Sequence, residues 1–528
     1  MVRLQLNHNR GIQWHTSGQI SVKGYAYDTD NRLLKGKNLI RYFELVETLN
    51  QLSDRLLQLN GFFAVVIQTG THVFAAVDRV RSIPLFCSQK QNERIVSDDA
   101  DSLRFLDDPT PFDETSKLEF MVLGYVTNEQ TLDPAIFQIQ AGEAIAIEQT
   151  SGEIQKERYY LFRHEVRPVD PDQKIDELNT VMEAVFERLI RFLDGRQAVV
   201  PLSGGNDSRM IVQMLKRAGY ENVICYTYGY RWHWEVIVSH KVARTLDYPW
   251  IFFPFTRRKW HGWFRLPERL AYYRYGSHYQ AIAHIQDWPA IMLLKEQGRI
   301  DSNAVILPGH SGDFIGGSHL PLWFGKRDSL TDKELRSALY VRHYNLWDWS
   351  NEAEWLEPRL AEKIDAAVHP EPEMAAETAA DLFEWWDWQE RQAKYINNSV
   401  RVYEFWGYDW SMPLWDNALL EFWQAVPLEW RLDLKLYNLH VSKYHPAPMH
   451  VPTTFERKVW HVVNRLTDVR YGPLTGDRSL IRSWLTRFQE ILPDADVPFM
   501  YPDNRIVQTR INGIYSLLNL TELNALKE

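Results

Sequence analysis

The stretch VVPLSGGNDSRMIVQML, residues 199–215, constrains this chain more than any other. An apolar run ends at Leu202, and Ser203-Gly204-Gly205 follows directly. Helical periodicity then begins at once, with Met210, Ile211, Met214, Leu215 and Ala218 on one face and Gly219 where a helix C-cap belongs. A buried strand therefore stops, the glycines let the backbone turn sharply, and the positive end of a helix faces the turn. Ser203 and Ser208 add hydroxyl donors. The result is an anion cradle at the carboxyl end of a strand, where open α/β sheets take their ligands. Asp207 is the odd member. A carboxylate in such a cradle repels phosphate unless a cation stands between them, which reads Asp207 as a Mg²⁺ ligand. The plainer alternative is a tight strand-to-helix turn capped by an Asp or a Ser. The chain holds neither GxxxxGK[ST] nor GxGxxG, which removes the Walker A loop and the dinucleotide fingerprint.

The surroundings fit a parallel sheet. NVICYTYG (222–229) is a second strand, Val238, Val242 and Leu246 share a helix face, and PWIFFPF (249–255) is a third strand. Residues 1 to about 162 are β-rich, with GFFAVVIQ (61–68), THVFAAV (71–77) and EAIAIEQ (143–149) separated by turn residues. The periodicity of KLEFMVLGYV (117–126) does not decide whether it is a helix turning into a strand. RPVDPDQ (167–173) is a linker, and Leu178, Val181, Met182, Val185, Leu189 and Ile190 then give a helical pattern. From about 260 onward the chain is helical and aromatic, with eight Trp between Asp381 and Trp430. Those rings form either a stacking platform for sugar or peptide, or helix core, the latter matching the spacing of Leu382, Trp385, Trp386 and Gln389. At 528 residues two or three domains are expected. A net charge of −10 argues against nucleic-acid partners. Two cysteines make no disulfide framework and suit a reducing compartment; with no signal segment and no membrane span visible, a cytoplasmic location is expected.

SGGNDS resembles the SGGxDS pyrophosphate loop of the ATP pyrophosphatases, and specifically of asparagine synthetase and its relatives. NAVILPGHSGDFIGG (303–317) is similar to that family's second loop, SGEGSDEVFGG, with Gly309 at the first glycine, Asp313 at the aspartate and Gly316-Gly317 at the closing pair. WSMPLWDNALLEFWQAVPLEWRL (410–432) resembles the family's VRVPFLDxxLVEF segment through Leu414, Asp416, Leu420, Glu421, Phe422 and Pro427. KLYNLHVSKYHPAPMHVPTTFERKVW (435–460) resembles the stretch that ends in a catalytic lysine, with Lys458 the match and Lys443 its rival. NGFFAVVIQTGTHVFAAVDRVRSIPLF (60–86) resembles the family's glutaminase domain.

The resemblance implies an α/β multi-domain fold. Residues 1–165 would be an N-terminal-nucleophile-like αββα glutaminase-type domain. Residues 166–528 would be an ATP-pyrophosphatase domain, adenine nucleotide α-hydrolase-like, with a parallel sheet and a helical C-terminal extension. It implies an AMP-forming ligase that uses ATP and Mg²⁺ to adenylate a carboxylate and pass it to ammonia or an amine. Leu202, Ser203, Gly204, Gly205, Asp207, Ser208, Tyr228 and Gly309 would bind ATP and its pyrophosphate, with Tyr226 and Thr227 near the base or ribose. Asp207 and Asp313 would hold the metal, and Lys458 would offset charge on the departing pyrophosphate. His310 replaces the family's Glu and serves either as a base near neutral pH or as a structural donor. Position 2 is Val2, where glutamine hydrolysis needs a cysteine, so an inactive glutaminase is expected. Asn60, Gly61 and Asp78 persist where relatives bind glutamine. The expected partners are a small-molecule or peptide carboxylate, an amine and a possible second copy of the chain. Other readings are an intramolecular amide, lactam or peptide cyclase, a sugar-uronic acid amidating enzyme of surface polysaccharide synthesis, and a non-catalytic ATP-binding partner or regulator.

Overall fold

Gly24 shows why the first part of the chain pairs as it does. It lies inside the strand Ile20–Tyr27 with φ +98°, and a Cβ there would sit 2.0 Å from the carbonyl oxygen of Phe62 on the neighbouring strand. The computed structural model describes residues 2–445 apart from 8–9, 91–92, 105–109, 230 and 232, together with 519, 520 and 523. The first part holds two sheets. In the larger, Ile154–Arg158, Glu143–Glu148, His72–Val77, Asn60–Gln68, Ile20–Tyr27 and Trp14–Ser17 lie in that order, all antiparallel, and Leu33–Lys35 adds to Ile20–Tyr27. In the smaller, Val2–Gln5, Glu93–Ser97, Phe86–Lys90 and Ile136–Gln138 lie side by side, the first pair parallel. Ile20–Tyr27 is buried at every position, which means that both of its faces are covered. The helix Leu49–Leu57, started by a Thr48–Gln51 capping box, packs on this sheet. Residues 117–126 do not turn into a strand. Asp113 caps a helix Glu114–Leu123, and Gly124 at φ +89° ends it.

Asp170 caps the next helix and Pro171 opens it, so the polar linker converts directly into Pro171–Leu193. A five-stranded parallel sheet follows, in the order Trp250–Pro254, Val223–Gly229, Ala198–Pro201, Val305–Ile306, Asp409–Trp410. The chain builds outward from Ala198–Pro201 on one side, then returns to build on the other. The reversal puts the carboxyl ends of Ala198–Pro201 and Val305–Ile306 at a topological switch point, where open α/β sheets bind their ligands. The helix Ala376–Asp387 runs into a π-helical segment, Trp388–Ile396, and a short 3₁₀ turn, Asn397–Val400. Trp386, Trp388, Trp410, Trp415 and Trp423 are fully buried, so their rings are core and not a stacking platform. Among the described residues no helix is long and apolar enough to cross a membrane.

The two parts of the chain are joined by buried polar contacts. Asp416 accepts from Arg188 Nε and Nη2 at 2.8 and 2.7 Å and from Asn60 Nδ2 at 3.0 Å, and it also caps the helix Asn417–Gln424. Replacing Asp416 with Ala leaves a largely buried guanidinium unpaired and removes the cap. Unfolding in urea should show a loss of about 3–5 kcal/mol.

Candidate functional site

The first loop is knotted by its own serines. Ser203 N–H donates to Ser208 Oγ at 3.1 Å, Gly205 N–H donates to Ser203 Oγ at 3.1 Å, and the two hydroxyls are 3.2 Å apart. Leu202, which is buried, donates its N–H to Tyr226 O at 2.9 Å and so pins the end of the strand. The helix Asn206–Arg217 starts after Gly205 with no side chain capping it. Its first N–H groups thus lie at the switch point without a side-chain acceptor, the arrangement that binds phosphate. The capped-turn alternative raised by the sequence does not apply, because Asp207 points elsewhere. Gly204 is required by packing: a Cβ there would fall 2.2 Å from the Trp234 ring.

The second loop is nested against the first. A Cβ on Gly309 would lie 2.6 Å from Ser208 N, and one on Gly312 would lie 2.9 Å from Asp207 Oδ1. Ser311 takes φ +66°, and its hydroxyl donates to Gln392 Oε1 at 2.7 Å. Gly317, at φ +95°, leaves only 2.5 Å between a Cβ and Arg431 O. This packing brings Asp207 and Asp313 together: Asp313 N–H donates to Asp207 Oδ2 at 3.2 Å. Asp313 Oδ1 accepts from Phe314 N–H and Oδ2 from Ser318 Oγ, each at 2.9 Å. Asp207 Oδ1 accepts from the Tyr437 hydroxyl at 2.5 Å. Burial, then the neighbouring Asp313 charge, push the Asp207 carboxyl up to about 7. Two half-buried carboxylates on loops that touch fit a divalent cation. No cluster of three or more potential metal ligands exists among the described residues, so the other positions would belong to phosphate and water oxygens, the habit of Mg²⁺.

Other residues singled out by the sequence divide. Tyr226 is buried and its hydroxyl is directed at Asp287, while Thr227 Oγ1 donates to Leu202 O at 2.7 Å and lies 2.9 Å from Ser239 Oγ; both are core. Tyr228 is half-buried, stacked on Phe255 at 5.0 Å, and lies at the carboxyl end of its strand. His310 sits 3.1 Å from Ser399 Oγ through Nε2, and burial lowers it to about 3. Burial therefore favours the neutral imidazole, with Ser399 as its partner. Lys458 lies outside the described residues. Lys443 is paired with Asp176 at the surface. Val2 is buried in an edge strand, and burial raises Cys87 to about 11 and Cys225 to about 12. Asp78 accepts from the N–H groups of Phe63, Val80 and Ser82, and Asn60 serves Asp416 and Asn417. Sequence reasoning singled out neither Tyr437 nor Ser318.

A family model described as asparagine synthase matches residues 181–444, half of the 528-residue chain. The chain belongs to the asparagine synthase family. Members of that family are ATP-dependent ligases that form carbon–nitrogen bonds. Among solved structures, the glutamine phosphoribosylpyrophosphate amidotransferase from B. subtilis complexed with ADP and GMP is 13% identical, over 45% of this chain and 72% of its own, with a TM-score of 0.19. A structure of the allosteric regulatory enzyme of purine biosynthesis is 12% identical, over 47% and 72%, also with a TM-score of 0.19. Superpositions of that quality carry no argument here. No curated protein matched the chain.

Gly309→Ala should press its methyl into the backbone of Ser208 at a cost of about 1–3 kcal/mol. Calorimetric titration should show nucleotide affinity lowered about tenfold. His310 gives a pH signature. Its folded pKa lies below the ordinary imidazole value, so the unfolded chain binds the extra proton between about pH 6.5 and 3 and stability falls with acidification across that window. His310→Asn should make the stability–pH slope shallower there by up to about 1.4 kcal/mol per pH unit, read from urea midpoints.

Proposed function

We propose that this protein is an AMP-forming amide ligase that adenylates a carboxylate and transfers the acyl group to an amine without hydrolysing glutamine. The observation that carries this reading is the meeting of Asp207 and Asp313 beside an uncapped helix start at the sheet's reversal point. Ser203, Gly204, Gly205, Ser208 and the first N–H groups of the helix hold the β- and γ-phosphates. Leu202 and Tyr228 line the approach of the base. Mg²⁺, held by Asp207 and Asp313, supplies neutralisation of the triphosphate charge. The substrate carboxylate attacks the α-phosphorus, the bond to the bridging oxygen breaks, and pyrophosphate departs with that oxygen and its electrons. Lys458 stabilises the charge that grows on it. The amine then attacks the acyl carbon, AMP leaves and one proton is released. His310, kept neutral by burial, donates or accepts a hydrogen bond that orients the substrate.

The two sheets of the first 160 residues, with helices against them, agree with an N-terminal-nucleophile-like domain. That domain is an inactive glutaminase in this reading: Cys87 and Cys225 are buried with raised thiols, and Asn60 and Asp78 are committed to structural hydrogen bonds. The same commitments favour a second reading of the amine, as a group already on the substrate. The reaction would then close a ring.

The test is Mg²⁺-dependent ATP–pyrophosphate exchange across aspartate, uronic acids, β-amino acids and short peptides. One acid should support exchange, and Asp207→Ala should abolish it. Exchange that survives in Asp207→Ala at near wild-type rate would sink the proposal.

A further inference from the structure

Asp207 owes its orientation to a residue from the far end of the described chain. Tyr437 lies on the helix Lys435–Tyr444, is 4% exposed, and gives its hydroxyl proton to Asp207 Oδ1 at 2.5 Å. The other carboxylate oxygen, Oδ2, takes the Asp313 backbone N–H at 3.2 Å. One donor on each oxygen fixes the plane of the carboxylate. A carboxylate offers about four lone-pair sites, so both oxygens keep capacity for a cation. The phenol is itself held in place. Gly316 of the second loop lies against it, where a Cβ would be in ordinary contact with Tyr437 Cβ at 3.5 Å. The helix is also anchored at its far end, where Lys443 pairs with Asp176 and the Tyr444 hydroxyl donates to the same carboxylate at 2.6 Å.

We infer that Tyr437 is a positioning residue for the divalent cation: its hydroxyl presets the Asp207 carboxylate so that metal and nucleotide bind without reorienting it. The inference rests on the reading of Asp207 as a metal ligand. Groups that orient a metal's ligands commonly change its affinity by about 10–100-fold when removed. Tyr437→Phe deletes one oxygen and keeps the ring that fills the space, so the fold is retained.

The experiment is a Mn²⁺ titration of the full-length protein, followed by electron paramagnetic resonance, with α,β-methylene-ATP present. Asp207→Ala and Tyr437→Phe are measured beside the wild type. The expected result is about 10–100-fold weaker Mn²⁺ binding in Tyr437→Phe, with melting temperature and metal-free nucleotide affinity unchanged. In pyrophosphate exchange the Mg²⁺ concentration for half-maximal rate should rise by a similar factor, with the rate at saturating Mg²⁺ preserved. Mn²⁺ affinity in Tyr437→Phe equal to that of wild type overturns the inference while leaving the ligase reading intact. Unchanged Mn²⁺ affinity in Asp207→Ala overturns the metal-ligand reading itself, and the inference with it. Those two failures are therefore distinguishable.

Discussion

Two half-buried acids held on facing loops organise this molecule. Asp207 starts one helix and Asp313 another, on loops that leave adjacent parallel strands, and each oxygen of both carboxylates has a donor within 3.2 Å. Without a cation the arrangement is costly: burial and the neighbouring charge raise Asp207 to about 7, far above an ordinary carboxyl. A fold keeps such a pair only if the rest of the structure fixes it there. Here the fixing is visible. Gly309, Gly312 and Gly317 allow contacts that no side chain would, and Ser311 accepts a left-handed backbone under a hydrogen bond from its own hydroxyl to Gln392.

Much of this was legible in the sequence because it depends on local chemistry. The strand–glycine–helix signature of residues 199–215 and the glycine spacing of 309–317 report backbone requirements that few residues meet. Burial also follows from pattern: Leu178, Met182, Val185 and Leu189 form the apolar face that their spacing predicts. What was not legible came from long-range contact. Tyr437 reaches Asp207 across 230 positions, and nothing in KLYNLH marks one tyrosine as the partner of a carboxylate. The depressed basicity of His310 likewise comes from burial against a distant segment, so the letter H alone left both roles open. The segment 117–126 stayed undecided for another reason. Its apolar run has no clear period, and the capping residues Asp113 and Gly124 decided the matter.

The excess of tryptophan has a physical rather than a recognition role. Trp415 Nε1 donates to Asn397 Oδ1 at 2.8 Å and Trp410 Nε1 to Glu404 Oε1 at 2.8 Å, so these two rings fill the core while their polar atoms find buried acceptors, whereas Trp385 and Trp388 bury theirs without one. This lets the residues around 385–423 carry many buried charged groups, among them Glu390 with Lys394 and Arg401 with Glu404, without losing packing density. Charges buried in pairs hold geometry firmly, because removing either partner strands the other.

The first 160 residues make sense in that light even without glutamine chemistry. The turn after His72–Val77 is held by Asp78, whose carboxylate gathers the N–H groups of Val80 and Ser82. That leaves the carbonyls of the same turn directed outward, and the second part of the chain uses them: Asn397 Nδ2 donates to Val80 O at 2.8 Å and Arg401 Nη2 to Ser82 O at 2.7 Å. Between Asn397 and Arg401 lies Ser399, the partner of His310. The Asp78 turn thus braces the segment whose Ser399 meets His310 of the second glycine-rich loop. Detaching the first part would leave a buried guanidinium and a buried amide without these acceptors, immediately behind His310. Asp78 therefore acts through structure: it holds the turn whose carbonyls anchor Asn397 and Arg401.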